Sequence, residues 1–127
     1  MLATVGKIFG VVLLTVGLLG FVPGITSNGE LFGIFHVDTG HNLVHLTTGA
    51  LALWAGMVGA NAARFYFRAF GVVYALVAVL GFFSGPNDVL GFIANNGADN
   101  WLHMAIALTA LALGYGPFDR PKVAPIT

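Results

Sequence analysis

Four long stretches of the sequence contain no Asp, Glu, Lys or Arg, and this feature constrains the fold more than any other. They are Ile8–Gly29, Thr39–Ala63, Ala69–Asn87 and Asn100–Phe118. Each is close to the roughly 20 residues that an α-helix needs to cross a hydrocarbon core about 30 Å thick. Because lipid offers no hydrogen-bond partners to the backbone, such segments must be helical. The sequence predicts helices near Lys7–Val22, Gly40–Ala60, Ala63–Phe83 and Asp99–Tyr115.

The composition is typical of a protein whose main solvent is lipid. Hydrophobic residues make up 57% of the chain and charged residues 8%, whereas a soluble domain has roughly 25% charged residues. With five Lys and Arg residues in total, an extended phosphate-binding face is excluded, so we expect no nucleic-acid partner. The absence of cysteine excludes disulfides, thiolate nucleophiles and Cys-ligated zinc. We expect a single integral membrane domain over residues 1–127.

The chain contains an internal repeat. Ile8–Gly24 aligns with Ala69–Gly85, with nine of the 17 positions identical, and Leu31–Gly56 aligns with Val89–Gly114 after a three-residue gap. Repeat 1 covers about residues 7–60, repeat 2 about 63–116, and a cytoplasmic tail covers 117–127. Each repeat holds two spans, so the second repeat begins on the same side as the first. The predicted fold class is therefore all-α, a four-transmembrane-helix bundle of two parallel-repeat helical hairpins.

The charged residues separate into two groups along the chain. The basic group lies at the N-terminus, in the middle loop and in the tail: Lys7, Arg64, Arg68, Arg120 and Lys122. The acidic group lies in the two other loops: Glu30, Asp38, Asp88 and Asp99, with Asp119 alone on the basic side. By the positive-inside rule this predicts a multi-pass membrane protein with both termini in the cytoplasm.

Each acidic loop contains an apolar pentapeptide around a glycine, Leu31–Phe35 and Val89–Ile93. Such a segment between two spans is typical of an interfacial turn that lies on the bilayer or over the bundle. Simple packing of the loop on the helix ends is an equally good interpretation.

The most specific part of the repeat is a polar motif at the start of each even-numbered helix. His41-Asn42-Leu43-Val44-His45 aligns with Asp99-Asn100-Trp101-Leu102-His103. Residues i and i+4 share a helix face, so His41 stacks over His45 and Asp99 over His103. If the repeats are related by a pseudo-two-fold axis, the two pairs converge near it.

This motif has several interpretations. His41, His45, Asp99 and His103 would suit a divalent zinc, copper or iron ion. Alternatively, His45 and His103 would be axial ligands of a haem, or one of them would bind a chlorophyll magnesium. A purely structural interpretation has Asp99 or Thr39 capping its helix, while Asn42, Asn100 and the histidines hydrogen-bond across the bundle. A proton or substrate path is a further alternative.

Sequence motifs of enzymes are missing from the chain. It has no Gly-rich phosphate loop, no HExxH motif and no Ser/His/Asp arrangement. We therefore expect a non-enzymatic accessory or structural subunit that associates with other membrane proteins in a respiratory or photosynthetic complex, or forms a homo-oligomer among membrane lipids. The alternative is a metal- or tetrapyrrole-binding membrane protein that uses His45 and His103.

The segments FGVVYALVAVLGFF, HNLVHL and ADNWLHM together resemble a bacterial family of small four-helix membrane proteins that is known only as a domain of unknown function. The resemblance runs from about Lys7 to Gly116, and the two Asn-x-x-His helix starts are its most specific part. It implies a four-span membrane protein and implies no activity.

Overall fold

A computed structural model describes residues 1–85 and 87–119, and this part of the chain is mostly helical. Within it the chain forms four helices and three two-residue strands. The helices are α1 (Leu2–Leu19), α2 (Thr39–Val58), α3 (Ala60–Ser84) and α4 (Gly97–Tyr115). The strands are β1 (Thr26–Ser27), β2 (Glu30–Leu31) and β3 (Phe35–His36). Arg120, Lys122 and the rest of the predicted tail beyond Asp119 lie outside the described residues.

The observed ends of the helices correct the predicted ones. The helix α1 begins at Leu2 instead of Lys7, because Leu2 is fully buried while the Lys7 side chain is exposed and does not interrupt the helix. It ends at Leu19 instead of Val22, because the backbone turns before Pro23. The helices α2 and α3 are separated only by Gly59, whose φ of 142° is rarely adopted by residues with a side chain.

Helices pack in two antiparallel pairs, α1 with α2 and α3 with α4, and glycines bring the backbones together. A Cβ at Gly10 would lie 2.5 Å from the Leu53 amide nitrogen, and one at Gly71 would lie 2.9 Å from the Leu111 side chain. These glycines and these leucines are equivalent residues of the sequence repeat. At such sites the missing side chain permits close helix approach.

A second pair of equivalent contacts lies toward the basic end of the same helices. A Cβ at Gly56 would lie 2.6 Å from the amide nitrogen of Lys7, and one at Gly114 would lie 2.7 Å from that of Arg68. Both glycines are buried, and they face the first half of the neighbouring helix. The contact between the two pairs involves fewer residues, and in it the ring of Phe9 packs edge-on against the rings of Tyr66 and Phe67.

The contacts place the basic side chains at one end of the helices. Lys7 and Arg68 pack beside Gly56 and Gly114, and the Nε of Arg68 donates to the Gly114 carbonyl oxygen at 2.7 Å. Arg64 donates to the carbonyl oxygens of Gly114, Gly116 and Phe118. These bonds satisfy acceptors that the C-terminal end of α4 leaves without intrahelical partners.

Asp119 lies at the same end, where a hydrogen bond from the Leu2 amide lowers the pKa of its carboxyl.

The opposite end carries a small antiparallel sheet that the all-α prediction did not include. Strand β2 pairs with β1 and with β3 in the connection between α1 and α2. A similar turn recurs before α4, where Val89 pairs with Ile93. Both apolar pentapeptides have positive φ at two successive residues, 55° and 66° at Phe32 and Gly33, and 55° and 76° at Leu90 and Gly91. The first residue of each pentapeptide is buried, and the tip side chains are exposed.

Two of the helices, α1 and α3, are long and apolar enough to cross a membrane. In each of these two helices, only 28% of an apolar 18-residue stretch is buried inside the protein. Large apolar side chains are exposed along the helices, including Phe83 at 86% and Phe65 at 74%. A core helix of a soluble protein would bury most of this surface.

Candidate metal centre

Three buried histidines converge at the acidic end of the helices. The helix α2 supplies His41 and His45 one turn apart, and α4 supplies His103. Each offers a ring nitrogen, and the three nitrogens all lie within 4.8 Å of one another. The three side chains are only 2–4% exposed. Imidazole nitrogens in such a cluster are suitable ligands for zinc, copper, iron or nickel.

The ring geometry is compact. The rings of His41 and His45 stack with their centroids 4.9 Å apart, and their Nε2 atoms are 3.0 Å apart. The His103 ring centroid lies 5.4 Å from that of His41 and 6.0 Å from that of His45. Two ligand nitrogens on one tetrahedral zinc ion would be about 3.3 Å apart, given Zn–N bonds of about 2.0–2.1 Å. The His41–His45 spacing is close to this value and is also a hydrogen-bond distance, so a metal ion held by both Nε2 atoms would replace that hydrogen bond.

The hydrogen bonds of His41 fix which of its nitrogens is available. Its Nδ1 lies 3.0 Å from the carbonyl oxygen of His36 and 2.8 Å from that of Ala94. Both partners are acceptors, so Nδ1 carries the proton and the Nε2 of the neutral ring keeps its lone pair. A backbone carbonyl on the second ring nitrogen is the usual arrangement around a metal-bound histidine. His41 is therefore held with Nε2 directed at the cluster.

The rings of His45 and His103 are held by fewer hydrogen bonds than that of His41. The Nδ1 atoms of His45 and His103 are buried and have no hydrogen-bond partner among the described residues. Buried polar atoms are nearly always paired, and an exception calls for a water, an ion or a functional role. The cluster therefore contains two buried ring nitrogens that the described residues leave without a partner.

Asp99, the fourth residue of the predicted ligand set, has another role in this structure. Asn96 is the N-cap residue of α4 and forms a capping box with Asp99: the Asn96 side chain accepts from the Asp99 amide, and Asp99 Oδ2 accepts from the Asn96 amide at 2.8 Å. The same Oδ2 also accepts from the His36 amide at 3.1 Å. The group of atoms within 4.8 Å does not include Asp99. Its Oδ1 is buried and has no hydrogen-bond partner among the described residues. The structure thus brings together three of the four predicted ligands and places a helix-capping carboxylate beside them.

The helix caps differ in part from the structural interpretation of the motif. Asp38, not Thr39, caps α2, because the Asp38 Oδ1 accepts from the His41 amide at 2.7 Å and Thr39 is already the first helical residue. The second carboxylate oxygen of Asp38 accepts from the Ala94 amide at 3.1 Å. Asp38 therefore also connects the start of α2 to the loop before α4.

The two asparagines pack against glycines of the neighbouring helix. A Cβ at Gly20 would collide with the amide of Asn42, and a Cβ at Gly81 would collide with that of Asn100. Both asparagines are buried. The Oδ1 of Asn100 accepts no hydrogen bond among the described residues.

Sequence reasoning missed a tyrosine that borders the cluster. The Tyr74 ring centroid lies 5.9 Å from that of His103, and its hydroxyl is 2.9 Å from Thr48 Oγ1. Because the Thr48 hydroxyl donates to the Val44 carbonyl oxygen at 2.8 Å, Tyr74 is the donor to Thr48. A polar hydroxyl in the middle of the apolar stretch 69–87 was the available signal.

A cavity of about 200 Å³ adjoins the cluster. His41, His45 and Asp99 contribute its polar lining, and the remaining wall is apolar: Val16, Leu31, Phe32, Phe35, Val37 and Leu102. Phe32 is 59% exposed, so the wall of the cavity reaches the protein surface.

Comparison with known proteins identifies the family but adds no chemistry. Neither the curated proteins nor the solved structures contain a match to this chain. The family described as Domain of unknown function (DUF4383) matches residues 4–116, a range that includes both Asn-x-x-His motifs and all three clustered histidines. The chain therefore belongs to the DUF4383 family.

Proposed function

We propose that this protein is a four-span membrane protein that binds a divalent first-row transition-metal ion through His41, His45 and His103. The observation that carries the proposal is the convergence of three buried imidazoles, with one nitrogen of each within 4.8 Å of the others. Three such nitrogens can hold zinc, and on general grounds copper would bind more tightly than zinc.

The hydrogen bonding supports a metal ion over a purely structural polar cluster. A structural cluster would satisfy its own donors and acceptors, because an unpaired buried polar group costs free energy. Here His41 is oriented by two carbonyl oxygens, while the Nδ1 atoms of His45 and His103 have no hydrogen-bond partner in the described part of the chain. The described residues therefore do not satisfy the cluster by themselves, and a bound ion would complete it.

The geometry favours a metal ion over a haem or a chlorophyll. A haem ligated by His45 and His103 would have to pass between the two rings. The His41 ring lies against both of them, at 4.9 Å and 5.4 Å, and occupies this region. The adjoining cavity of about 200 Å³ is also smaller than the roughly 300–1,000 Å³ of pockets for drug-sized ligands.

The membrane part of the proposal has all four helices crossing the bilayer as two parallel hairpin repeats. The helices α2 and α4 have 20 and 19 residues, which is long enough for a span. Each is paired with α1 or α3, the two helices that are apolar enough to cross alone. The equivalent glycine contacts, Gly10 with Leu53 and Gly71 with Leu111, support the repeat.

The proposed location is the bacterial inner membrane with both termini in the cytoplasm. Support comes from Lys7, Arg64 and Arg68 at one end and from Asp38 and Asp99 at the other. In this orientation the histidine cluster lies near the outer surface.

A role as a non-enzymatic accessory subunit, in a respiratory or photosynthetic complex or in a homo-oligomer, is the second candidate. It is supported by an apolar groove of about 350 Å³ beside the α2–α3 junction. Trp54 and Phe65 line this groove and are 62% and 74% exposed. Native mass spectrometry from mild detergent tests it, and a lone monomer without a co-purifying protein would argue against it.

Metal analysis of the purified protein tests the primary proposal. We expect about one zinc per chain after zinc loading and dialysis, and a loss of most of this metal in His45→Ala and His103→Ala. His36→Ala is the matched control: its bonds to His41 and Asp99 use backbone atoms that the substitution keeps, and its ring lies outside the group of three, so the metal content should be unchanged. Circular dichroism and size-exclusion chromatography show whether each variant is folded. Equal metal content in wild type, His45→Ala and His103→Ala would overturn the proposal.

A further inference from the structure

We infer that the bound metal keeps one coordination position open toward the adjoining cavity, and that this position takes a small neutral ligand that donates a hydrogen bond to Asp99, with water as the simplest case. The inference rests on the proposed metal binding and deepens it, because it names the class of molecule that the site accepts.

The count of ligands leaves a position open. Zinc and related ions take four ligands in tetrahedral sites, and sites with three protein ligands hold water or substrate in the fourth position. The group of converging atoms consists of His41, His45 and His103 and contains no carboxylate. The fourth ligand is therefore expected to come from outside the described residues.

The cavity next to two of these histidines limits the size of that ligand. His41 and His45 line a space of about 200 Å³ whose other walls are mostly apolar. This volume exceeds the roughly 30 Å³ that one water molecule occupies in the liquid. It is below the size of pockets that take drug-sized molecules. Water and molecules of a few atoms fit this space.

Asp99 determines the chemical character of the ligand. Its side chain is fully buried and lines the same cavity. The Oδ2 atom is occupied by the amides of Asn96 and His36, whereas Oδ1 has no hydrogen-bond partner in the described part of the chain. An unpartnered carboxylate oxygen accepts a hydrogen bond from a neutral donor, whereas an anion offers it no proton. Asp99 therefore selects a neutral donor such as water over an anion, as a positioning residue that does not itself ligate the metal.

Cobalt(II) is the probe for this inference, because its visible spectrum reports the number and kind of its ligands. The protein is loaded with cobalt and titrated with azide, and the spectral change gives the azide affinity. We expect weak azide binding in wild type and binding at least about tenfold tighter in Asp99→Asn, which keeps the shape but removes the charge. Asp88→Asn is the matched control, because it removes a charge from an exposed loop residue at the same end. It should bind azide as wild type does.

The outcomes separate the inference from the proposed function. If wild type binds no cobalt, the proposed metal site fails. If cobalt binds but saturating azide leaves its spectrum unchanged, or if Asp99→Asn and Asp88→Asn show the same azide affinity, the inference is overturned while the metal site stands. If a folded Asp99→Asn variant loses cobalt, Asp99 is a direct ligand and the inference is overturned. In the copper-loaded protein, broadening of the copper resonance by ¹⁷O-labelled water supports the open position independently of Asp99.

Discussion

His41 and Asp99 occupy equivalent positions of the sequence repeat, and each binds the backbone of the other repeat at an equivalent residue. His41 donates from Nδ1 to the Ala94 carbonyl oxygen, and Asp99 accepts from the His36 amide. His36 and Ala94 are themselves aligned in the repeat. The exchange of a donor for an acceptor explains why the aligned positions hold an imidazole and a carboxylate. Because Asp99 stands at the position equivalent to His41, repeat 1 supplies two imidazoles and repeat 2 supplies one, and the cluster contains three.

Substitution of the packing glycines should destabilise the two helix pairs unequally. In Gly10→Ala the new Cβ meets the backbone of Leu53 and Gly49, which cannot move without separating α1 from α2. In Gly71→Ala it meets mainly the Leu111 side chain, which can shift. We expect losses of about 2–3 kcal/mol and about 1 kcal/mol in the free energy of unfolding. Thermal unfolding in detergent measures both, with Gly97→Ala as the control because no neighbouring atom lies within 4 Å of its Cβ position. Equal losses at Gly10 and Gly97 would contradict the packing described.

The capping box of α4 should contribute to stability independently of the metal. Asn96→Ala removes the acceptor of the Asp99 amide and a bond to the Ile34 carbonyl oxygen. We expect a loss of about 1–2 kcal/mol in the free energy of unfolding of the metal-free protein. Asn96→Asp keeps the cap acceptor and should recover most of this loss in chemical unfolding experiments. No recovery would mean that the cap bond itself is not what stabilises the helix start.

The Tyr74 hydroxyl should matter for packing but not for ligation. Tyr74→Phe removes the bond to Thr48, and we expect a loss of about 0.5–1.5 kcal/mol in stability with unchanged zinc content. A double-mutant cycle with Thr48→Val isolates the energy of this pair. A strong loss of zinc in a folded Tyr74→Phe variant would show that Tyr74 belongs to the ligand set after all.

Metal affinity should fall as the pH is lowered. Protons compete with the metal for the lone pairs of His41, His45 and His103, so zinc is held at neutral pH and released in acid. Because burial keeps the imidazoles neutral until the solution is strongly acidic, competition with a chromophoric chelator is followed from pH 7.5 down to about pH 4, and we expect the fall over this range to exceed tenfold. His36→Ala should show the same pH dependence as wild type. A pH-independent affinity would exclude histidine ligation.

Labelling of single cysteines tests the proposed orientation, and the chain has no native cysteine to interfere. Asn61→Cys lies at the exposed start of α3, and Asp88→Cys lies in the exposed loop before α4. An impermeant maleimide added to intact cells should label the Asp88 position only. Labelling of both positions, or of neither until the cells are opened, would contradict a span between them.

The amino-acid sequence is enough to predict which segments form apolar helices, which ends carry the basic and acidic residues, and that His45 and His103 follow an asparagine at equivalent helix starts. These features depend on composition and on spacing along one helix, where i and i+4 necessarily share a face. The sequence also predicts the three histidines that the structure brings together, although it adds Asp99 to them as a ligand and leaves out Tyr74.

The convergence of the histidine nitrogen atoms depends instead on how the helices pack. The position of α2 against α4 depends on contacts between residues distant in sequence, such as the Asp38 carboxylate with the Ala94 amide and the Asp99 carboxylate with the His36 amide. The same contacts place His41 in the cluster and commit one Asp99 oxygen to backbone amides. The strands β1–β3 depend on pairing across the loop, which has no strong pattern in two-residue segments. The periodicity of a helix predicts which residues share a face, whereas the packing of the helices determines which residues that face contacts.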